Sequence, residues 1–228
     1  IGHYGLSDEC LGNILPESIR ELLTHRNSVL PTIFVTHNAP YFHREDANQM
    51  KLNHKPFEGK KVIILIREAK DTLVSLFMHG CHREGWYKKD ISQFVFDSTY
   101  GIEKYVQYYK QISRDLPLFE SYLVVRYEDF HEKPFGTLQK VANFIGLNEI
   151  NDDVINDAIS FSSFTNMRTI EREGRSQSWS MRTPKDQTNQ NAFKARKGKV
   201  GGYKDHLDEK LISQIDQYTE KLPDLFRY

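Results

Sequence analysis

The chain has 228 residues, with 31 Lys and Arg balanced by 31 Asp and Glu, a formal charge of zero. That length suits one large domain with a real core better than two, and the neutrality argues against a protein whose main task is to coat nucleic acid or an anionic membrane. Hydrophobic residues at 39% and aromatics at 12% exclude disorder over most of the length.

In chain order, Pro16 opens a helical pattern carried by Ile19, Leu22 and Leu23. Residues 32–36 (TIFVT) read as a buried strand, and so do 62–66 (VIILI), the longest clean apolar run. That run is far short of the roughly 20 residues a membrane span needs. After Asp71, whose carboxylate suits a helix N-terminus, Leu73, Val74, Phe77 and Met78 recur at helical spacing. Ile102, Tyr105, Val106, Tyr109 and Ile112 form a second stripe, residues 122–125 (YLVV) a third strand, and Leu138, Val141, Ala142 and Ile145 a further helix ended by Gly146. Strands that are continuous rather than alternating suit a parallel sheet covered on both faces. Strand and helix alternate, so the expected class is α/β with a mostly parallel central sheet, in one domain over 1–228.

Residues 175–194 hold almost no aliphatic side chains and many Ser, Gln, Asn and Thr, which predicts a mobile lid loop within the domain. The neutral total hides a local excess. From Arg168 to Lys204 ten Lys or Arg face Glu171, Glu173 and Asp186, a surplus of seven, whereas 145–160 carry four acids and no base. Such a focused field points to a small anionic ligand rather than a polyanion, with an ordinary solvated basic face as the alternative. Two cysteines, Cys10 and Cys81, cannot make a disulfide framework and favour a reducing, cytoplasmic compartment. The first residues, IGHY, have neither a Met nor a signal pattern, and the expectation is that the natural N-terminus lies upstream.

Two stretches carry chemistry. In Arg196, Lys197, Gly198, Lys199, Val200, Gly201, Gly202, Tyr203 and Lys204, cations alternate with glycines. Glycine lets the backbone approach a phosphate and adds its amide as a donor, while Arg offers a planar fork and Lys a compact charge. Arg67 stands at the C-terminal end of the 62–66 strand, where open parallel sheets bind ligands, and Ser75 is expected one turn into the next helix. A basic turn, and an Arg paired with Asp71, are the plain structural readings of the same residues. His79 and His82 flank Cys81, but no further spaced Cys or carboxylate pair completes a zinc site, and no metal is expected.

The run RKGKVGGYKDHL resembles the C-terminal signature of the sulfotransferases that use 3′-phosphoadenosine 5′-phosphosulfate (PAPS), RKGxxGDWKNxF, and IREAKDTLVS resembles their RNxxDxxVS motif with the Arg-to-Ser spacing kept. Residues 35–40 (VTHNAP) are similar to the family's KTHLP, 126–130 (RYEDF) to its YED segment, and Ser162-Ser163-Phe164-x-x-Met167 to its TSFxxMK segment. Together these ordered matches span 32 to about 207. The resemblance implies a P-loop-NTPase-like three-layer sandwich and a sulfuryl transfer from PAPS to a hydroxyl or amine of a small-molecule or glycan acceptor, with adenosine 3′,5′-bisphosphate (PAP) as product. It implies that Arg67, Ser75, Arg196, Lys197 and Gly198 hold the 3′-phosphate. Tyr127, Ser162 and Phe164 would line the adenine pocket, and His37 would be the general base, being mostly neutral at pH 7.

The match also breaks in places. No TYPKSGTTW-like loop precedes His37, Val35 stands where KTHLP has Lys, and Glu68 and Tyr203 replace the consensus Asn and Trp. The family's dimerisation signature, KxxxTVxxxE, is not met after Lys204, which leaves the oligomeric state open. Because a central strand cannot easily be omitted, the expectation is a parent polypeptide that carries the N-terminal strand and phosphate loop upstream, or else a chain inactive by itself. A noncatalytic relative that binds PAP is the alternative. A small kinase lacks support, since no GxxxxGK[ST] loop occurs.

Overall fold

The computed structural model describes Pro16, Ile33 and residues 45–176 and 181–228. The helix expected after Pro16 and the candidate base His37 lie outside the described residues, as do four of the five positions of the strand expected over 32–36. β1 (Lys61–Ile66) leads through α1 (Ala69–Met78), α2 (Ile91–Val95) and α3 (Ile102–Asp115) to β2 (Ser121–Arg126). There follow α4 (Tyr127–Glu132), α5 (Pro134–Phe144), α6 (Asp152–Phe161), α7 (Phe164–Arg172) and α8 (Glu209–Thr219). β1 and β2 pair in parallel, from Lys61 opposite Ser121 to Ile66 opposite Arg126. A parallel pair needs a long crossover, and the helices between the two strands provide it.

Local chemistry sets the helix starts. Glu68 caps α1, Asp90 caps α2, Asn151 caps α6, Ser163 caps α7 and Asp208 caps α8, each side chain accepting from an amide of the first turn. Caps of this kind are worth about 1 kcal/mol each. α6, α7 and α8 are helices that the apolar stripes did not announce. They are short, and polar residues outnumber the apolar ones in α7 and α8 and equal them in α6.

The chain divides into two compact units. The sheet unit takes in residues 45–81, 85–128 and 199–228. Its core is one cluster in which Ile64 and Ile66 of β1 meet Leu73 and Val74 of α1, Phe94, Ile102, Val106, Ile215 and Phe226. Each such side chain contributes about 1.5–3 kcal/mol when fully buried. The pleat of β1 sends Ile64 and Ile66 into that core, and the intervening Ile63 and Leu65 remain 38% and 58% exposed. The expectation of cover on both faces is therefore met on one face only within the described residues.

The helical unit comprises 82–84 and the described residues of 129–198. Its buried apolar residues are few, among them Ala142, Ile155, Ile170, Ala192 and Phe193, and buried Arg168 and Glu171 lie in the same unit. No described helix is long and apolar enough to cross a membrane.

Among the described residues of the sheet unit, the Tyr87 hydroxyl is a buried polar group without compensation. Tyr87 is 6% exposed and stands edge-on to Phe94 at 4.8 Å, and its hydroxyl has no hydrogen-bond partner among the described residues. Burial, reinforced by Asp97 and Asp90, pushes its phenol up to about 12. The folded state thus holds Tyr87 neutral. Its contribution to stability is present below pH 10 and lost as the pH rises towards 12. Tyr87→Phe should be neutral or stabilising by up to about 1 kcal/mol at pH 7 and should flatten the alkaline loss. Urea unfolding at pH 7, 10 and 11 checks this, and a marked loss at pH 7 would overturn it.

Candidate functional site

In the sheet unit, Arg67 follows β1 directly, and its carbonyl accepts from the Tyr105 hydroxyl at 2.7 Å. Its guanidinium lies 4.3 Å from the centre of the Tyr127 ring. Its Nη2 is 3.6 Å from Asp71 Oδ2, and its buried Nε has no hydrogen-bond partner among the described residues. Asp71 is only 3% exposed, and its two oxygens accept from the amides of Gly201 and Tyr203, both at 2.8 Å. A carboxylate assigned by sequence to a helix N-terminus therefore also anchors a turn about 130 residues later in the chain.

Glu68 turns its carboxylate to the start of α1, accepting from the Asp71 amide at 3.1 Å and pairing with Lys70 at 3.1 Å. Burial raises its carboxyl above the usual range despite the lysine. Lys70 also pairs with Asp216 of α8. With α1 beginning at Ala69, Ser75 is its seventh residue and exposed, so it lies nearly two turns in rather than one. The cause is the Glu68 cap, which starts the helix two residues before Asp71. Phe77 of α1 packs on Phe94 at 5.5 Å, and Trp86 lies 4.6 Å from Tyr100 and is 40% exposed.

In the helical unit, Ser162 ends α6 and donates to the Ile159 carbonyl at 3.2 Å. Phe164 is the first residue of α7 and is 42% exposed. Gly198 has φ +58°, and a Cβ built on it would fall 2.5 Å from Phe164 Cδ2. The glycine of the basic run therefore lies against the ring of the candidate stacking residue.

The stretch leading into that run is held by groups that sequence reasoning passed over. Glu171 is 0% exposed and receives Arg83 Nη1 at 2.6 Å and the amides of Lys194 and Ala195 at 2.7 and 2.9 Å. Arg83 also donates to the carbonyls of Ala192 and Arg182 at 3.0 and 2.7 Å. Arg168 bonds the Ala195 carbonyl at 2.6 Å and Gln190, and its guanidinium lies 3.5 Å from the Phe193 ring centre. In the polar segment, Arg182 Nη2 donates to both carboxylate oxygens of Glu84 at 2.7 and 2.9 Å, and Thr183 donates to the Glu171 carbonyl at 2.9 Å. The one sequence signal was an acid inside a strongly basic stretch.

Among the sequence-derived residues, the structure thus brings Arg67 to Tyr127 within the sheet unit and Phe164 to Gly198 within the helical unit. These features define an α/β protein with a strand-end arginine and a glycine-bearing basic run suited to phosphate. The chain belongs to the sulfotransferase family, whose sulfotransferase-domain model matches residues 17–226 and so runs through both units. Luciferin sulfotransferase of Photinus pyralis is 27% identical, over 97% of this chain and 58% of its own length. Cytosolic sulfotransferase 13 of Arabidopsis thaliana is 29% identical, over 71% of this chain and 51% of its own. The chain spans about half the length of the curated relatives it matches.

Retinol dehydratase, solved in complex with androsterone and the inactive cofactor PAP, aligns with a TM-score of 0.57 at 21% identity, over 72% of this chain and 48% of that one. A mouse sulfotransferase complexed with PAP aligns with a TM-score of 0.53 at 20% identity, over 72% and 58%. This likeness shows the fold, which is the α/β class with a parallel sheet that the sequence led us to expect.

A methyl group at position 198 would meet both the left-handed backbone and the Phe164 ring, whereas at Gly201, φ +71°, a Cβ meets nothing within 4 Å. Gly201→Ala should therefore cost about 1 kcal/mol from the backbone alone, and Gly198→Ala should cost measurably more. Equal losses in urea midpoint would show that the ring contact is immaterial.

Proposed function

We propose that this chain carries the nucleotide-binding part of a PAPS-dependent sulfotransferase, which moves a sulfuryl group to a hydroxyl or amine of a small-molecule or glycan acceptor in the cytoplasm. The observation that carries the reading is the seat of Gly198 against the exposed ring of Phe164, inside one compact unit. It joins a run of phosphate-seeking cations to an aromatic platform, the two features that a phosphorylated adenine demands. Family membership and the PAP complexes of the structural relatives support it.

The side chains fit such a nucleotide. Arg67 keeps a buried donor without a partner among the described residues, and the left-handed Gly198 lets the backbone of the basic run pass directly against the Phe164 ring, where a Cβ would clash. In this reading Arg67, Ser75, Arg196, Lys197 and Gly198 hold the 3′-phosphate. Tyr127, Ser162 and Phe164 hold the adenine, and stacking on Phe164 is worth about 1–3 kcal/mol. PAPS supplies the sulfuryl group, and PAP is what remains. His37 takes the proton of the acceptor, which makes that group a better nucleophile. Transfer of this kind needs positioning, stabilised charge and exclusion of water rather than covalent chemistry by the protein.

Ligand binding tests the reading directly. PAP at about 100 times its Kd should stabilise the chain by about 2.7 kcal/mol, seen as a rise in Tm. Arg196→Ala and Arg67→Ala should each weaken PAP binding by about tenfold or more, as expected for a lost charge-assisted bond. No rise in Tm with millimolar PAP, or unchanged affinity in both variants, would overturn it. Sulfate transfer from PAPS to a panel of phenols, alcohols and amines then identifies the acceptor class.

A further inference from the structure

Resting on that reading, we propose that Glu171, clamped by Arg83, is a positioning residue of the 3′-phosphate site, fixing the backbone path on which Arg196, Lys197 and Gly198 meet the phosphate. The geometry lies wholly within the helical unit. One carboxylate accepts from two successive amides, Lys194 and Ala195, immediately before the basic run. Arg83 fixes that carboxylate from the other side and holds the Ala192 carbonyl with the same Nη1. Arg168 takes the Ala195 carbonyl and stacks on Phe193. From Ala192 to Ala195 the chain is gripped on both its amide and its carbonyl groups, and from Lys197 to Val200 it is exposed.

A fully buried ion pair is weak evidence of a device for stability, because apolar residues of similar volume often serve as well or better. What an apolar side chain cannot do is accept two backbone amides in a fixed direction. Glycine at 198 makes this control necessary, since a left-handed glycine flanked by cations has little conformational preference of its own. An exposed binding loop is precise when the scaffold beneath it is rigid. Glu171 and Arg83 supply that rigidity without touching the nucleotide.

The test compares PAP with adenosine 5′-monophosphate, which lacks the 3′-phosphate, by calorimetry on the full chain. Wild type should prefer PAP strongly. Glu171→Gln, which cannot accept from both amides and Arg83 together, should lose about tenfold of that preference, while affinity for adenosine 5′-monophosphate stays within about twofold. Glu171→Asp, which keeps the charge but shortens the reach, should behave the same way and carries the test if Glu171→Gln fails to fold. Should both fail to fold, hydrogen exchange on the wild type decides. The Lys194 and Ala195 amides should be protected, and PAP should protect them further.

Retained preference for PAP in either folded variant, an equal loss for both nucleotides, or unprotected amides at 194 and 195 would overturn the inference. Failure of the wild type to prefer PAP would instead overturn the reading on which it rests.

Discussion

The arrangement depends on buried carboxylates that accept backbone amides. Glu171 holds Lys194 and Ala195 in the helical unit, and Asp71 holds Gly201 and Tyr203 in the sheet unit. Removing a carboxylate from water is expensive unless its lone pairs are met; two amides meet those of Asp71, and two amides plus a guanidinium those of Glu171. The same bonds restrain loops too rich in glycine and charge to restrain themselves. Asp71 serves a second purpose, because as a first-turn acid it also favours the N-terminus of α1. Its distance from Arg67, 3.6 Å, orients the guanidinium without closing a direct hydrogen bond.

The surplus of positive charge between Arg168 and Lys204 takes on a different meaning once partners are assigned. Arg168 is engaged by Ala195, Gln190 and Phe193, Arg182 by Glu84, Arg175 by Glu173, and Lys199 by Asp205 at 3.7 Å. Part of what sequence presents as a field for an anion is therefore internal framework, and guanidiniums do most of that work because one fork can reach several carbonyls. Arg168 shows the cost: burial lowers the tendency of its guanidinium to stay charged, and Glu171 opposes the shift. Counting charges along a segment overstates what a ligand meets.

Much of the sheet unit was legible in the sequence because its elements are built from local patterns. The run VIILI falls within β1, YLVV within β2, and the stripes beginning at Leu73 and Ile102 are the buried faces of α1 and α3. The residues of the basic run and Phe164 were legible as types, though not as neighbours. What was hidden has a common cause. Glu171 meets Arg83 across 88 positions and Asp71 meets Gly201 across 130, and a single polar residue has no periodicity to betray such a partner. Ser75 was displaced for a smaller reason, a cap at Glu68 that moved the helix start.

Glu68 itself shows how a departure from a family pattern is absorbed. An acid beside the arginine proposed to hold an anion would repel the ligand if its charge faced outward. Here the carboxylate caps α1 through the Asp71 amide and lies 3.1 Å from Lys70, while its backbone amide donates to Glu128 at 3.0 Å. Asparagine, the consensus residue at this position, is itself among the best helix caps, so the exchange preserves the local function. Glutamate adds a charge, and Lys70, tied in turn to Asp216, stands where that charge needs a counterion. Burial raises the Glu68 carboxyl above the usual range, against the pull of Lys70. The acid is thus turned into the fold rather than toward a ligand. Arg67 next to it keeps its stacking on Tyr127 and a buried Nε without a hydrogen-bond partner among the described residues.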